Sequence, residues 1–256
     1  MSILNFQKPD KIVMQKADDF EGLFEFKPLE PGFGQTVGNS LRRVLLSSLE
    51  GFAISAVRIA GVEHEFATIR GVVEDVVEII LNLKQVRLKQ LLSEEDITTE
   101  KVYLTINGKE EFRAGDIEEH TNVFKIMNPD LLICQMEPFV NLEVELTVTK
   151  GRGYVPADDN LPKDAPIGVI PVDAIYTPIK NVAYRVENTR VGQRTDYEKL
   201  SIEVKTDGTI HPEDAIKEAS RILIQHLMLI TDENITFDDA STREKNIVDE
   251  HILHMR

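Results

Sequence analysis

The sequence predicts an α+β fold, and three observations lead to this expectation. Two segments with apolar residues at helical spacing lie near the two ends of the chain, one after Pro31-Gly32 and one from Pro212 onward. Strand-like alternation precedes each of them. From about residue 52 to residue 169 the pattern changes to several short strands with one strong helix. The middle of the chain therefore differs from both of its ends in its predicted secondary structure.

A strand and then a helix are predicted at the start of the chain. GLFEFKPL mixes apolar and charged side chains as a strand does, up to the break at Pro31-Gly32. A helix of three to four turns should follow, and Gly51 stands where a C-cap is expected. The apolar residues at helical spacing in this helix are Val37, Leu41, Val44, Leu45 and Leu49.

Paired strands, one helix and a hairpin are predicted for the middle of the chain. AISAVRIAGVEHEF alternates as two paired strands would, and NLEVELTVTK places its leucines and valines on one face. Asn107-Gly108 suits the type I′ turn of a hairpin, and PADDNLPKDAP should be an exposed loop. VVEDVVEIILNLKQV should form a strong helix whose apolar face consists of Val73, Val76, Val77, Ile80 and Leu83.

Two strands and a long helix are predicted after this β-rich stretch. YTPIKNVAYRVE and KLSIEVKTDG are strand-like, with Asp207-Gly208 as a turn, and Pro212 is favoured in the first turn of a helix. The apolar stripe of that helix is wider than one sheet requires, so we expect it to have a second partner. The stripe consists of Ile216, Ala219, Ile222, Leu223, Leu227 and Ile230, and it is widened by Ile224, Met228 and Leu229. The polar, acidic tail over residues 233–256 should be a linker.

Composition favours a cytoplasmic protein that does not bind nucleic acid by itself. No apolar stretch approaches the roughly 18 residues of a membrane span, the N-terminus lacks the pattern of an export signal, and Cys134 is the only cysteine. The formal net charge of −15 should repel a phosphate backbone. Two small basic groups are candidates for nucleic-acid binding, namely Arg42 with Arg43, and the scattered set Lys180, Arg185, Arg190 and Arg194. Such small groups are more often solvated or located at protein interfaces.

The glycines of GFGQTVG raise the alternative of a nucleotide-binding enzyme. Gly32, Gly34 and Gly38 form G-x-G-x-x-x-G, which differs from the dinucleotide fingerprint, and no Lys-Ser/Thr pair follows as in a P-loop. This spacing disfavours the loop as a phosphate site. The histidines and the acidic pair Asp158 and Asp159 give no metal-ligand set at useful spacing, and no catalytic triad is apparent. We therefore expect no catalytic residue, metal or cofactor on this chain.

The first helix carries a second, mixed face. At about 100° per residue, Leu46 points away from the apolar side and shares a face with Arg43, Asn39 and Glu50. An exposed arginine beside a stray leucine is ordinary for a surface. A small protein-binding patch is the alternative, because arginine beside an apolar anchor is favoured at interfaces.

Several long segments in the same order resemble the alpha subunits of bacterial RNA polymerase. They include LEPGFGQTVGNSLRRVLLSSL, VEDVVEIILNLK, KGRGYVPA, VDAIYTPIKNVAYRVENTRVGQRTDYEKL and DGTIHPEDAIKEAS. The match runs from about residue 28 to residue 230. It implies a discontinuous dimerisation domain over residues 1–50 and 172–232, and an inserted β-rich domain over residues 51–171. It also implies that residues 233–256 lead toward a DNA-binding C-terminal domain that is absent from this sequence.

The resemblance also implies partners and residue roles. Members of this family form homodimers that hold the beta and beta-prime subunits, leave catalysis to them, and meet DNA only through the assembled enzyme or the C-terminal domain. Beta docking is implied for Arg42, Arg43 and Leu46. Beta-prime docking is implied for Lys84, Val172, Ile179 and Lys199. The dimer interface is expected on the first and last helices, at Val37, Leu41, Val44, Leu45, Ile224, Leu227 and Met228.

Overall fold

The computed structural model describes residues 11–91, 97–160 and 165–231 as a mixture of strands and helices, with more strand than helix. The helices are α1 (Phe33–Ser47), α2 (Val76–Leu83), α3 (Gly115–Glu118), α4 (Ala157–Asn160) and α5 (Pro212–Thr231). The strands are β1 (Lys11–Ala17), β2 (Glu21–Leu29), β3 (Glu50–Ile59), β4 (Leu88–Gln90), β5 (Thr99–Asn107), β6 (Glu111–Arg113), β7 (Phe124–Ile126), β8 (Leu132–Gln135), β9 (Asn141–Arg152), β10 (Tyr154–Val155), β11 (Val169–Pro171), β12 (Ala174–Ile175), β13 (Ile179–Val191) and β14 (Arg194–Thr206). None of the helices in these ranges is long and apolar enough to cross a membrane.

The two ends of the chain build one antiparallel sheet with two helices packed against it. The strand order is β1-β2-β14-β13, so a strand from the start of the chain lies next to a hairpin from its last third. Alternate residues of β2 and β14 are buried beneath α1 and α5, as amphipathic strands require. This end-sheet core contains Phe24, Phe26, Leu41, Leu45, Leu200, Ile202, Val204, Ala215, Ile216 and Ala219.

The middle of the chain builds a second sheet with its own core. The order β5-β9-β3-β4-β7 is extended by β11, which pairs with β3, and α2 contributes its buried face. Along β9 the predicted alternation is confirmed, since Leu142, Val144, Leu146 and Val148 are all buried. The buried side chains of this middle-sheet core run along the chain from Ile54 to Val172.

Tyr176 packs against strands β3 and β9 of the middle sheet. Gly51 on β3 pairs directly with Gly151 on β9, so the sheet has no side chain at either position. A Cβ added to Gly151 would lie 2.6 Å from the Tyr176 ring, and one added to Gly51 would lie 2.0 Å from its carbonyl oxygen. The Tyr176 hydroxyl is 2.7 Å from the hydroxyl of Thr149. The paired glycines therefore form a slot that this tyrosine fills.

The structure corrects two predicted boundaries. Helix α1 begins at Phe33 and ends at Ser47, so Gly51 is not its C-cap but a residue of β3. Of the stretch AISAVRIAGVEHEF, one strand forms and the part after Ile59 is irregular. The reason is tertiary in both cases, because β3 pairs with β9 rather than with the segment that follows it.

The predicted hairpin at Asn107-Gly108 is wrong. Gly108 does have the positive φ of 66° that such a turn needs, but β5 pairs with β9 and β6 pairs with β8. Strand β5 pairs with nine successive residues of β9. The cross-strand contacts of so long a pairing stabilise it more than one two-residue turn could stabilise a hairpin of β5 with β6. A local turn signal therefore marked a change of direction but not a pairing.

The predicted face of the middle helix is also partly wrong. Helix α2 starts only at Val76, where the Asp75 carboxylate accepts a hydrogen bond of 2.8 Å from the Glu78 N–H. Its buried residues are Val76, Ile79 and Leu83, whereas Val73 is exposed, and Val77 and Ile80 are half-buried. The last helix and the strand pair before it form as predicted. The predicted exposed loop contains the short α4, and its residues 161–164 lie outside the described ranges, as does the predicted linker.

Candidate partner-binding surfaces

The start of α1 is closed by a carboxylate from a distant strand. Glu198 on β14 accepts hydrogen bonds from the Gly32 N–H at 2.9 Å and from the Gly34 N–H at 2.8 Å. Free N–H groups at a helix start are where anions bind. Here the chain's own carboxylate occupies that position. The loop that resembled a phosphate site is therefore already filled.

The glycines of α1 let the helix lie close to the sheet. A Cβ on Gly34 would come within 2.8 Å of Val186, and one on Gly38 within 2.7 Å of the Tyr184 ring. Gly32 has a φ of 89°, which places the chain in the left-handed region just before the helix. These glycines serve helix packing and chain reversal rather than ligand binding.

Arg42 and Arg43 differ in what they contact. Both are exposed, but Arg42 Nε donates a hydrogen bond of 3.2 Å to the Val182 carbonyl of β13. Among the described residues, the Arg43 guanidinium has no hydrogen-bond or ion-pair partner. Leu46 is half-buried and packs against the end-sheet core, so the prediction that it points away from that core is corrected. Arg43 is the charged group on α1 that stays available to a partner.

The residues predicted for a dimer interface fall into two groups. Leu41 and Leu45 are buried in the end-sheet core of their own chain. Val37 and Val44 on α1 are half-buried, as are Ile224 and Met228 on α5. Leu227 is 56% exposed. Only the second group and Leu227 retain surface that another molecule could cover.

The second half of α5 extends beyond the core that buries its first half. Ala215 and Ala219 are buried, but further along the same helix Leu229 is 82% exposed and Ile230 is 78% exposed. At about 100° per residue, Ile230 lies within about 20° of Ala219 on the helix surface, and Leu227 and Leu229 flank it on either side. The apolar stripe therefore continues past the end of its own core.

Lys84 and Val172, two of the predicted beta-prime contacts, line the same groove beside α2. The groove is also lined by Val77, Ile80, Leu81 and Asp173. Lys84 follows the last residue of α2, and its Nζ lies 2.6 Å from Asp173 Oδ2. Asp173 Oδ1 accepts a 2.9 Å hydrogen bond from the Ala157 N–H. The hydrogen bond from Lys84 lowers the pKa of Asp173, and the bond from the Ala157 N–H lowers it further. Val172 is buried and lines the groove.

Ile179 and Lys199, the other two predicted beta-prime contacts, lie on the four-stranded sheet. Ile179 is buried at the start of β13. The Nζ of Lys199 is 2.8 Å from a Glu187 oxygen and 3.7 Å from a Glu25 oxygen. The hydrogen bond to Glu187 raises the pKa of Lys199. The structure thus places Ile179 and Lys199 on the four-stranded sheet and brings Lys84 and Val172 together in one groove.

Two carboxylates that matter here carried no signal in the sequence. Glu198 lies in an ordinary strand, 166 residues from Gly32 and 164 from Gly34, and no local motif connects them. Asp173 stands in the segment VDAIYTPIK, but no local pattern pairs it with Lys84, which lies 89 residues earlier. Because the chain has many more acidic than basic residues, the presence of one carboxylate in the sequence does not indicate which group it contacts.

Comparison with known proteins identifies the family to which the chain belongs. The family model described as the RNA polymerase Rpb3/RpoA insert domain matches residues 57–177. DNA-directed RNA polymerase subunit alpha of Cytophaga hutchinsonii is 58% identical, and that of Bacteroides thetaiotaomicron is 56% identical; each match covers 100% of this chain and 77% of the relative. The protein of the same name from Chloroherpeton thalassium is 45% identical over 99% of this chain and 77% of its own length. With this level of identity over its whole length, the chain belongs to the family of DNA-directed RNA polymerase alpha subunits.

Proposed function

We propose that two copies of this chain form the homodimeric scaffold on which the beta and beta-prime subunits assemble in the cytoplasm, with catalysis carried by those subunits. The observation that carries the proposal is the exposed apolar end of α5, a helix that packs against α1. Exposed leucine and isoleucine in one stripe mark a protein-binding surface. A two-fold dimer would bring the same stripe from both copies together.

The two separate hydrophobic cores support the proposed division of the chain. In this proposal residues 1–50 and 172–232 form the dimerisation domain, and residues 51–171 form the inserted domain. The strand pairing of β2 with β14 favours a first domain that is discontinuous in sequence. Because the buried Val172 packs with the middle-sheet core, the second boundary would lie just after it.

The mass of the isolated chain in solution tests the dimer. We expect light scattering to give twice the protomer mass of 29.0 kDa. Leu229→Glu should shift the mass toward the protomer, because a carboxylate cannot be buried in an apolar interface without a partner. Ile167→Glu is the matched control, since Ile167 is 87% exposed on the other part of the chain. A native chain of protomer mass would refute the proposal.

Beta docking is proposed for the face of α1 that presents Arg43, with Arg42 and Leu46 beside it. Arg42 is anchored on β13 and Leu46 on the core, so Arg43 is the group free to pair with a carboxylate of the partner. Arg43→Ala should leave a folded dimer that retains much less beta subunit in co-purification. Arg70→Ala, at an exposed arginine on the other part of the chain, should retain beta normally. Undiminished beta with Arg43→Ala would disprove the role of Arg43.

The nucleotide-binding alternative has no support from the geometry or from the relatives. Glu198 fills the position that a phosphate would take, and two like charges cannot share it. Calorimetry with ATP and with NAD should therefore show no binding to the isolated chain.

A further inference from the structure

The groove beside α2 has apolar walls that none of the described residues covers. The outward face of α2 presents Val77, Ile80 and Leu81, and Leu81 is 52% exposed. Ile170 and Pro171 also line the groove. The groove has a volume of about 240 Å³. Because a cavity of about 150 Å³ holds a benzene molecule, this groove has room for a leucine or phenylalanine side chain.

Lys84 at the end of this groove is already paired within the chain. Its ammonium group is 2.6 Å from Asp173 and 5.8 Å from the centre of the Tyr154 ring. Asp173 in turn holds the backbone of Ala157, where α4 begins. The ion pair therefore links the end of α2 to the start of α4, whose residues Ala157 and Asp158 also line the groove.

The charges left at the lining of the groove are negative. Glu65 and Asp158 line it, and within the described residues neither carboxylate has a hydrogen-bond or ion-pair partner. Since the charge of Lys84 is satisfied by Asp173, the net field at the groove attracts a cation. An occupant that fits both features carries an apolar side chain next to a lysine or arginine.

We propose that beta-prime docks in this groove through an apolar side chain flanked by a basic residue, and that Lys84 is a positioning residue that holds the groove wall through Asp173. This inference rests on the proposed function, and on the beta-prime docking that the family resemblance implies for Lys84 and Val172. It differs from a direct contact, in which the Lys84 ammonium would pair with a carboxylate of beta-prime. The two arrangements make opposite predictions for Asp173.

The test measures how much beta-prime joins a complex of the alpha dimer with beta, using variants of the full chain. Leu81→Glu should weaken beta-prime binding about tenfold, as expected for the loss of an apolar anchor. Leu91→Glu is the matched control, because Leu91 is 53% exposed and lies outside the groove. Lys84→Ala and Asp173→Ala should each weaken binding, and the double variant should be no worse than either single one. Retention of beta and of the dimer mass verifies that each variant is folded.

The outcomes distinguish a failure of this inference from a failure of the proposed function. If Asp173→Ala leaves beta-prime binding unchanged or tighter while Lys84→Ala weakens it, Lys84 contacts beta-prime directly and the positioning role is overturned. If Leu81→Glu binds beta-prime as well as Leu91→Glu does, the groove is not occupied by an apolar anchor. If neither Lys84→Ala nor Leu81→Glu has any effect, beta-prime docks elsewhere, and the docking that the family resemblance implies for Lys84 and Val172 fails as well.

Discussion

Removing the Glu198 carboxylate should destabilise α1 although Glu198 lies on a strand far away in sequence. The carboxylate accepts two backbone hydrogen bonds at the start of the helix, from Gly32 and Gly34. No side chain at the N-cap position itself takes this role. In Glu198→Ala both N–H groups would lose their acceptor, and the negative charge that favours a helix start would be gone.

The magnitude follows from these two contacts. Loss of a helix cap costs about 1 kcal/mol, and a hydrogen bond to a charged group contributes about 1.5–3 kcal/mol when buried. Because Glu198 is half-buried and Gly32 is exposed, water replaces part of what is lost, and we expect about 2 kcal/mol in total. For a chain of this size, that loss lowers the unfolding midpoint by about 4–8 °C.

Thermal unfolding at one fixed protein concentration measures this effect, since a dimer's midpoint depends on concentration. Glu203→Ala is the control, because Glu203 lies on the same strand and pairs with Lys205 at the surface, where such a pair contributes at most about 1 kcal/mol. Glu198→Gln keeps one carbonyl acceptor and should fall between the native chain and Glu198→Ala. If Glu198→Ala and Glu203→Ala shift the midpoint equally, the carboxylate does not cap α1.

Three further predictions concern other parts of the molecule. Gly51→Ala should destabilise the fold by about 1–3 kcal/mol, as overpacking does, because its Cβ would clash with the Tyr176 carbonyl; chemical denaturation measures this. Cys134 should resist thiol reagents at pH 8 until the chain unfolds, because burial raises its pKa to about 12. The Lys84 hydrogen bond lowers the pKa of Asp173 from 3.8, so this pair should stabilise the fold fully above that pH. Its contribution, measured as the difference between the native chain and Asp173→Asn, should disappear as the pH falls through the lowered value.

Each of these predictions has a result that would contradict it. Gly108→Asn is the control for Gly51→Ala, since Gly108 has a positive φ but open space around its Cβ position, and asparagine tolerates that conformation. Equal loss of stability in both variants would mean that the slot around Tyr176 is not tight. Rapid labelling of native Cys134 would show that its site opens easily. An Asp173→Asn difference that persists unchanged to the lowest pH would show that the Lys84 pair does not titrate.

The elements that could be predicted are those whose signal is local. The α5 helix from Pro212, the buried alternation of β9 and the β13–β14 pair all follow from residues within about ten positions of one another. The apolar width of α5 also indicated a missing partner, and its exposed end is consistent with that reading. Side-chain period and turn chemistry act over the same short range, so a sequence displays them directly.

The sequence by itself determined the α+β character, the family and the apolar side of α1 that contains Leu41 and Leu45, since these depend on composition, periodicity and order of segments. Only the tertiary structure decided that β5 pairs with β9, that Glu198 fills the helix start resembling a phosphate loop, and that Asp173 holds Lys84. These contacts join residues more than 30 positions apart. They form because the sheets bring distant strands side by side, and no local pattern records which of many carboxylates or strands will meet.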